Sequence, residues 1–210
     1  MGIFDLFKKK IENQQLNESL YNCLFADDPK YFSDMRDIEC ISWIFSDRIP
    51  EIQKLNDWAK DDTIESRLRF LCLYSALKRN LKIDKKIYFG TILEVPVNNG
   101  YDILAFYSDK KARYYNFSGA AVIYENGNLN IDSVIDKVNK ISIKVCDEIG
   151  PWEGGRLPRP NGSTARFTYL MSDGIYFGNG PISELSKDPM GSAILISGAE
   201  IMKILTNTKK

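Results

Sequence analysis

The chain has 210 residues, 44% of them hydrophobic and 12% aromatic, with 28 basic and 28 acidic side chains and no histidine. That composition supports a packed core and excludes the polar, charge-biased class of disordered chains; the charge balance holds on either side of Lys86 and argues against a nucleic-acid partner. Lack of histidine removes Ser-His-Asp and Cys-His nucleophile activation and imidazole proton transfer, while Cys23, Cys40, Cys72 and Cys146 show no CxxC spacing, so reduced thiols in a cytoplasmic protein are expected, with no metal and no cofactor.

The opening MGIFDLFKKK places its apolar cluster before its lysines, the reverse of signal-peptide order, and no run reaches membrane-spanning length. No transmembrane segment is therefore expected. On a short helix Ile3, Phe4, Phe7 and Ile11 share one face, which suits docking onto the protein's own helical layer better than a membrane surface.

Residues 1–85 read as a helical N-terminal segment, able to pack on the rest, and residues 86–210 as an α+β domain. Three or four helices are expected before residue 81. Pro29 and Pro50 stand where first helical turns accept them, and Asp62-Thr63-Ile64-Glu65 resembles a capping box. From residue 87 the period changes to two. Strands at 87–97, 101–107, 112–117 and 120–125, linked by Asn98-Asn99-Gly100, Ser108-Asp109-Lys110 and Ser118-Gly119, form a four-strand meander. In the first of them Ile87, Phe89, Leu93 and Val95 are expected on one face, with Tyr88 and Ile92 on the other. A helix at 131–147 follows, although Ile141-Ser142-Ile143-Lys144-Val145 also alternates like a strand. A hairpin pairs 163–171 with 174–177, and Pro181 and Pro189 open C-terminal helices, the second after Asp188 as N-cap. The expected fold is a mainly antiparallel sheet of about six strands covered by helices.

The segment most suggestive of a site is residues 150–162, GPWEGGRLPRPNG, where prolines and glycines surround Trp152, Glu153, Arg156 and Arg159. Proline lowers the entropy lost when a loop is fixed, glycine admits close backbone approach, an arginine fork suits a carboxylate or phosphate, and tryptophan often anchors protein interfaces. The plain structural alternative is a connection pinned over the sheet edge, with Trp152 buried and the arginines in solvent. Strand alternation puts Thr164, Arg166 and Thr168 on one face and Ala165, Phe167, Tyr169 and Met171 on the core face. Arg166 is then either an ordinary exposed strand residue or the neighbour that completes an electropositive pocket with Arg156 or Arg159. Arg113 is expected to stack on Tyr115 and Phe117 or to pair with Glu94 or Asp102. Glu94, Asp102, Glu125 and Glu153 are the carboxylates left for acid-base chemistry, but sequence fixes no separation between any two.

The MGIFDLFKKK opening and, within residues 86–205, the LEVPVNNGYDILAFYSDKKARYYNFSGAAVIYE meander and the GPWEGG and GIYFGNGP segments are similar to parts of uncharacterised bacterial proteins. The resemblance implies no activity and assigns no residue. The expectation is a non-enzymatic protein-interaction protein, of which a bacterial immunity-type protein is one version, that binds another protein through Trp152, Glu153, Arg156, Arg159 and Arg166. The alternative is a sensor or carrier of a small anionic ligand built on a profilin-like or PAS-like sheet, using the same arginines.

Overall fold

Helical and strand periodicities separate in space near the point where they change in sequence. The computed structural model describes residues 18–83, 85–97 and 100–207; the amphipathic N-terminal segment and the Asn98-Asn99 part of the first turn lie outside them. The chain begins with α1 (Glu18–Phe25), a 3₁₀ segment (Pro29–Met35), α2 (Glu39–Ile44), α3 (Ile52–Lys60) and α4 (Ser66–Lys78). It continues through β1 (Tyr88–Val97), β2 (Gly100–Tyr107), β3 (Ala112–Tyr115), β4 (Ala121–Tyr124), α5 (Leu129–Glu148), β5 (Thr164–Met171), β6 (Gly174–Pro181), α6 (Ile182–Leu185) and α7 (Pro189–Asn207). The six strands form one antiparallel sheet in the order β4-β3-β2-β1-β5-β6. The fold is α+β, with helices on both faces.

Each face has its own core. On one, Phe25 of α1 and Phe70 and Leu71 of α4 join Phe89, Ile92, Tyr107 and Ile175 of the sheet, so the N-terminal helices share a core with it. On the other, Ile135 of α5 and Ile194 and Ile201 of α7 pack against Leu93, Leu104, Phe167 and Tyr169. Between Tyr88 and Gly90 the register of β1 against β5 shifts, a β-bulge. The bulge corrects the face assignment drawn from strict alternation: Phe89 sides with Ile92, while Tyr88 sides with Leu93. Gly90 is required there, because a Cβ would lie 2.6 Å from Tyr107 Cδ1 and 2.9 Å from the Phe106 carbonyl oxygen.

Local signals act largely as read. Asp28 accepts the Lys30 N–H ahead of Pro29 and Asp188 caps α7 through the Gly191 N–H; Asn128, which the sequence did not single out, caps α5 through the Asn130 N–H, and Pro50 precedes α3 rather than standing in its first turn. Residues 141–145 continue α5, because Ile131, Ile135, Val138, Ser142 and Cys146 already form its buried stripe. The capping box does not form. Asp61 closes a turn on Thr63, and the N-terminus of α4 is capped from the β2–β3 turn: Asp109 Oδ2 accepts the Ser66 N–H at 2.9 Å, and Ser66 Oγ accepts the Asp109 N–H at 3.1 Å. That exchange ties the helical layer to the sheet.

Arg113 also departs from expectation. It pairs with Glu125 at 2.6 Å and Glu65 at 3.7 Å, because Asp102 points to the opposite face, where it accepts from the Tyr114 hydroxyl and the Phe117 N–H. Burial opposes the charge of Glu65, but Arg67, Arg113 and Lys111 outweigh it and hold its carboxyl at about 2, below the ordinary 4.5. The folded value lies below the unfolded one, so this contribution is complete above pH about 4.5 and is lost as pH falls toward about 2. Urea denaturation across that window is expected to show Glu65→Gln losing less stability on acidification than the wild type, by on the order of 3 kcal/mol. Parallel pH profiles would contradict the assignment.

Candidate functional site

Loop 150–162 leaves the C-terminal end of α5, touches the edge of β6, and crosses the face of the sheet that carries α1 before entering β5. Its entry is fixed by backbone: the Trp152 N–H donates to the Ile175 carbonyl at 2.8 Å. The indole N–H donates to the Gly155 carbonyl at 3.1 Å, folding the WEGG turn under its own ring. A side chain at Gly154 would place its Cβ 2.6 Å from Trp152 Nε1, so glycine is needed there for close approach.

The arginines are the loop's anchors. Arg166 of β5, 3% exposed, stands opposite Glu94 of β1, 1% exposed, in the strand register. Its Nε and Nη2 reach Glu94 Oε2 at 2.7 and 2.6 Å, and its Nη1 donates to the Pro158 carbonyl at 2.6 Å. The Tyr21 hydroxyl of α1 donates to Glu94 Oε1 at 2.7 Å. One buried ion pair thus joins two strands, the loop backbone and the first helix. Burial pushes the Glu94 carboxyl up from its ordinary value, against the opposing pull of Arg166 and the Tyr21 hydroxyl.

Arg156 and Arg159 lie over α1. The Arg156 guanidinium sits 4.4 Å from the Phe25 ring centroid, donates to Asn22 Oδ1 at 2.6 Å and pairs with Asp27 Oδ2 at 3.3 Å. Arg159 stacks 4.1 Å from the Tyr21 ring and pairs with Glu18 at 2.7 Å. Desolvation raises the Asp27 carboxyl, with Arg156 and Lys78 pulling the other way. The pair is incompletely satisfied, since Asp27 Oδ1 and Arg156 Nη1 are buried with no hydrogen-bond partner among the described residues.

The sequence-selected residues therefore divide. Arg156, Arg159 and Arg166 come together: Arg156 and Arg166 as internal cations matched by Asp27 and Glu94, and Arg159 at the surface, paired with exposed Glu18. The expectation that Arg166 is an exposed strand residue fails because β5 is buried on both faces, not one. The crevice among Trp152, Arg156, Arg166, Thr168 and Phe177 has a volume of only about 10 Å³, on the scale of a single water. Trp152 and Glu153 turn outward. Trp152 is 45% exposed and meets Phe177 edge to face, centroids 5.0 Å apart and planes at 78°. Trp152 is thus no buried plug, and of the two loop arginines only Arg159 is solvated.

Sequence reading did not assign the partners Glu18, Tyr21, Asn22 and Asp27, whose contacts with the arginines span more than a hundred residues. A signal existed for the Glu94–Arg166 pair. Each is a lone charge inside an apolar strand, and such charges are buried only when matched.

Breaking that match gives a test. Arg166→Met or Glu94→Leu alone leaves an uncompensated buried charge and is expected to cost about 3–5 kcal/mol in equilibrium denaturation, whereas the double replacement recovers most of it. Additive losses in the double variant would show that the two side chains do not act as a pair.

Among the described residues, no helix is long and apolar enough to cross a membrane, and no group of three or more Cys, Asp or Glu side chains is placed to hold a metal ion. Comparison of the chain with protein-family models, with curated proteins and with solved structures finds no match.

Proposed function

We propose that this is a non-enzymatic protein that binds another protein, and that the contact is centred on Trp152 with Phe177 and Glu153 beside it. The observation that carries the reading is the half-exposed Trp152, held by backbone hydrogen bonds and an aromatic partner at the margin of the sheet. A large aromatic that is already ordered loses little side-chain entropy on binding, which suits it to anchor an interface. Arg156, Arg159 and Arg166 support the surface from behind.

Binding is favoured over catalysis because three of the four candidate carboxylates are engaged: Glu94 with Arg166, Glu125 with Arg113, and Asp102 with Tyr114. The chain has no histidine to supply a base. A cytoplasmic setting fits the four free cysteines, of which Cys40, Cys72 and Cys146 are buried. An immunity-type role, in which the partner is a toxin, is one version of this reading. A carrier of a small anion has weaker support, since each guanidinium already faces a carboxylate and the crevice beneath the loop holds about 10 Å³.

The test uses a photoreactive residue at Glu153, with exposed Leu129 as the remote control position. Irradiation in the native cell is expected to give a discrete covalent adduct from position 153 and not from 129. Trp152→Ala is expected to weaken the same association roughly 30-fold, as for a central aromatic anchor. An adduct unaffected by Trp152→Ala, or none at 153, would contradict the reading.

A further inference from the structure

The sheet ends at β6, and its outer edge differs from the opposite one. At the far side β4 spans only Ala121–Tyr124, whereas β6 runs from Gly174 to Pro181. The Ile175 carbonyl points outward, where the Trp152 N–H takes it. Antiparallel alternation then directs the N–H and C=O groups of Phe177 and Asn179 outward as well. Among the described residues no backbone group pairs with them there. Edge strands are usually guarded by lysine, a bulge or short length; the Phe-Gly-Asn-Gly stretch carries neither lysine nor bulge, and proline enters only at position 181.

The glycines of this edge are not needed by the backbone. Neither Gly178 nor Gly180 has a left-handed φ. A Cβ at Gly178 would meet only Phe167 Cδ2, at 4.0 Å, and one at Gly180 would meet Leu185 at 3.7 Å, both ordinary contacts. What their bare Cα atoms do is keep the sheet face open beside α5 and α7. A cavity of about 240 Å³ lies there, walled by Val145, Ile149, Phe167, Phe177, Leu185 and Met190. That is smaller than metabolite pockets, which begin near 300 Å³, and suits one large apolar side chain.

The charge of the rim selects further. Glu148 and Asp188 line the cavity, and exposed Glu153 follows Trp152 in the chain. Of the neighbouring lysines, Lys86 is matched by Asp147 at 3.6 Å and Lys187 by Glu184 at 2.8 Å, and exposed Lys144 stands one turn before Glu148 on α5. Glu148, Asp188 and Glu153 outnumber Lys144, so the edge presents outward hydrogen-bonding groups, one apolar socket and an excess of negative charge.

We propose that the outer edge of β6 is a strand-addition site for an extended, basic segment of a partner protein. The added strand pairs with Phe177 and Asn179, inserts one large apolar side chain into the Gly178 cavity, and sets a lysine or arginine beside Glu148 or Glu153. This rests on the reading that the protein binds another protein, and specifies how.

The probe is a displayed library of random twelve-residue peptides selected on the full chain, followed by fluorescence-anisotropy titration of the enriched sequences. The expected peptides carry an apolar residue with lysine or arginine nearby. Gly178→Val fills the cavity and is expected to weaken them at least tenfold with its thermal midpoint kept. N-methylation of the one or two peptide amides that pair with the edge is expected to cost about tenfold each against the wild type, a measurement free of any folding defect. Enriched peptides that bind Gly178→Val equally and tolerate N-methylation, yet fail on Trp152→Ala, would overturn strand addition while leaving the Trp152 surface standing. Failure to enrich any peptide would also overturn it, as would a concentration-dependent dimer abolished by Gly178→Val, which would make the occupant a second copy of this chain.

Discussion

The ion pair between Arg166 and Glu94 is the constraint on which the site depends. Two charges almost wholly removed from water are tolerated only if every strong valence is met, and here the surroundings supply the partners: the Tyr21 hydroxyl for one carboxylate oxygen, the guanidinium for the other, and the Pro158 carbonyl for the remaining arginine fork. Those partners come from α1, β1, β5 and the loop. Replacing the pair by apolar residues would spare the desolvation penalty but lose the directionality that fixes the loop's height above the sheet.

From that fixed point the rest follows outward. Arg156 and Arg159, on the same loop, close over Tyr21 and Phe25 and complete the hold on α1. With its far end anchored on α1 and its near end hydrogen-bonded to β6, the loop has little freedom left, and Trp152 is displayed at the sheet margin. The arginines that looked like ligand-binding groups are the fasteners of a surface whose outward residues are aromatic and acidic.

Much of the fold was legible because it is written in local periodicity. The strand alternation, the hairpin turns and the caps at Asp28 and Asp188 each need only a few neighbouring residues to act. What escaped was non-local. A one-residue bulge at Phe89–Gly90 reverses a strand's faces without changing its composition, and the cap of α4 is supplied by Asp109, 43 residues away in the chain. The site shows the same division. Its residues were found from composition, whereas their roles depend on Glu18, Tyr21, Asn22 and Asp27 in a helix that sequence could not place against the loop. A charge in an apolar strand signals that a partner exists but not which one.

The 150–162 loop, although without regular secondary structure, is a fixed part of the molecule held by buried charge. Amide hydrogen exchange resolved to single residues tests it most directly. The Trp152 amide, bonded to Ile175, is expected to exchange with the slow amides of β5 and α1 and to become fast together with α1 when Arg166 is replaced by methionine. A Trp152 amide that exchanges at the rate of an unstructured loop in the wild-type protein, or one indifferent to Arg166→Met, would contradict it.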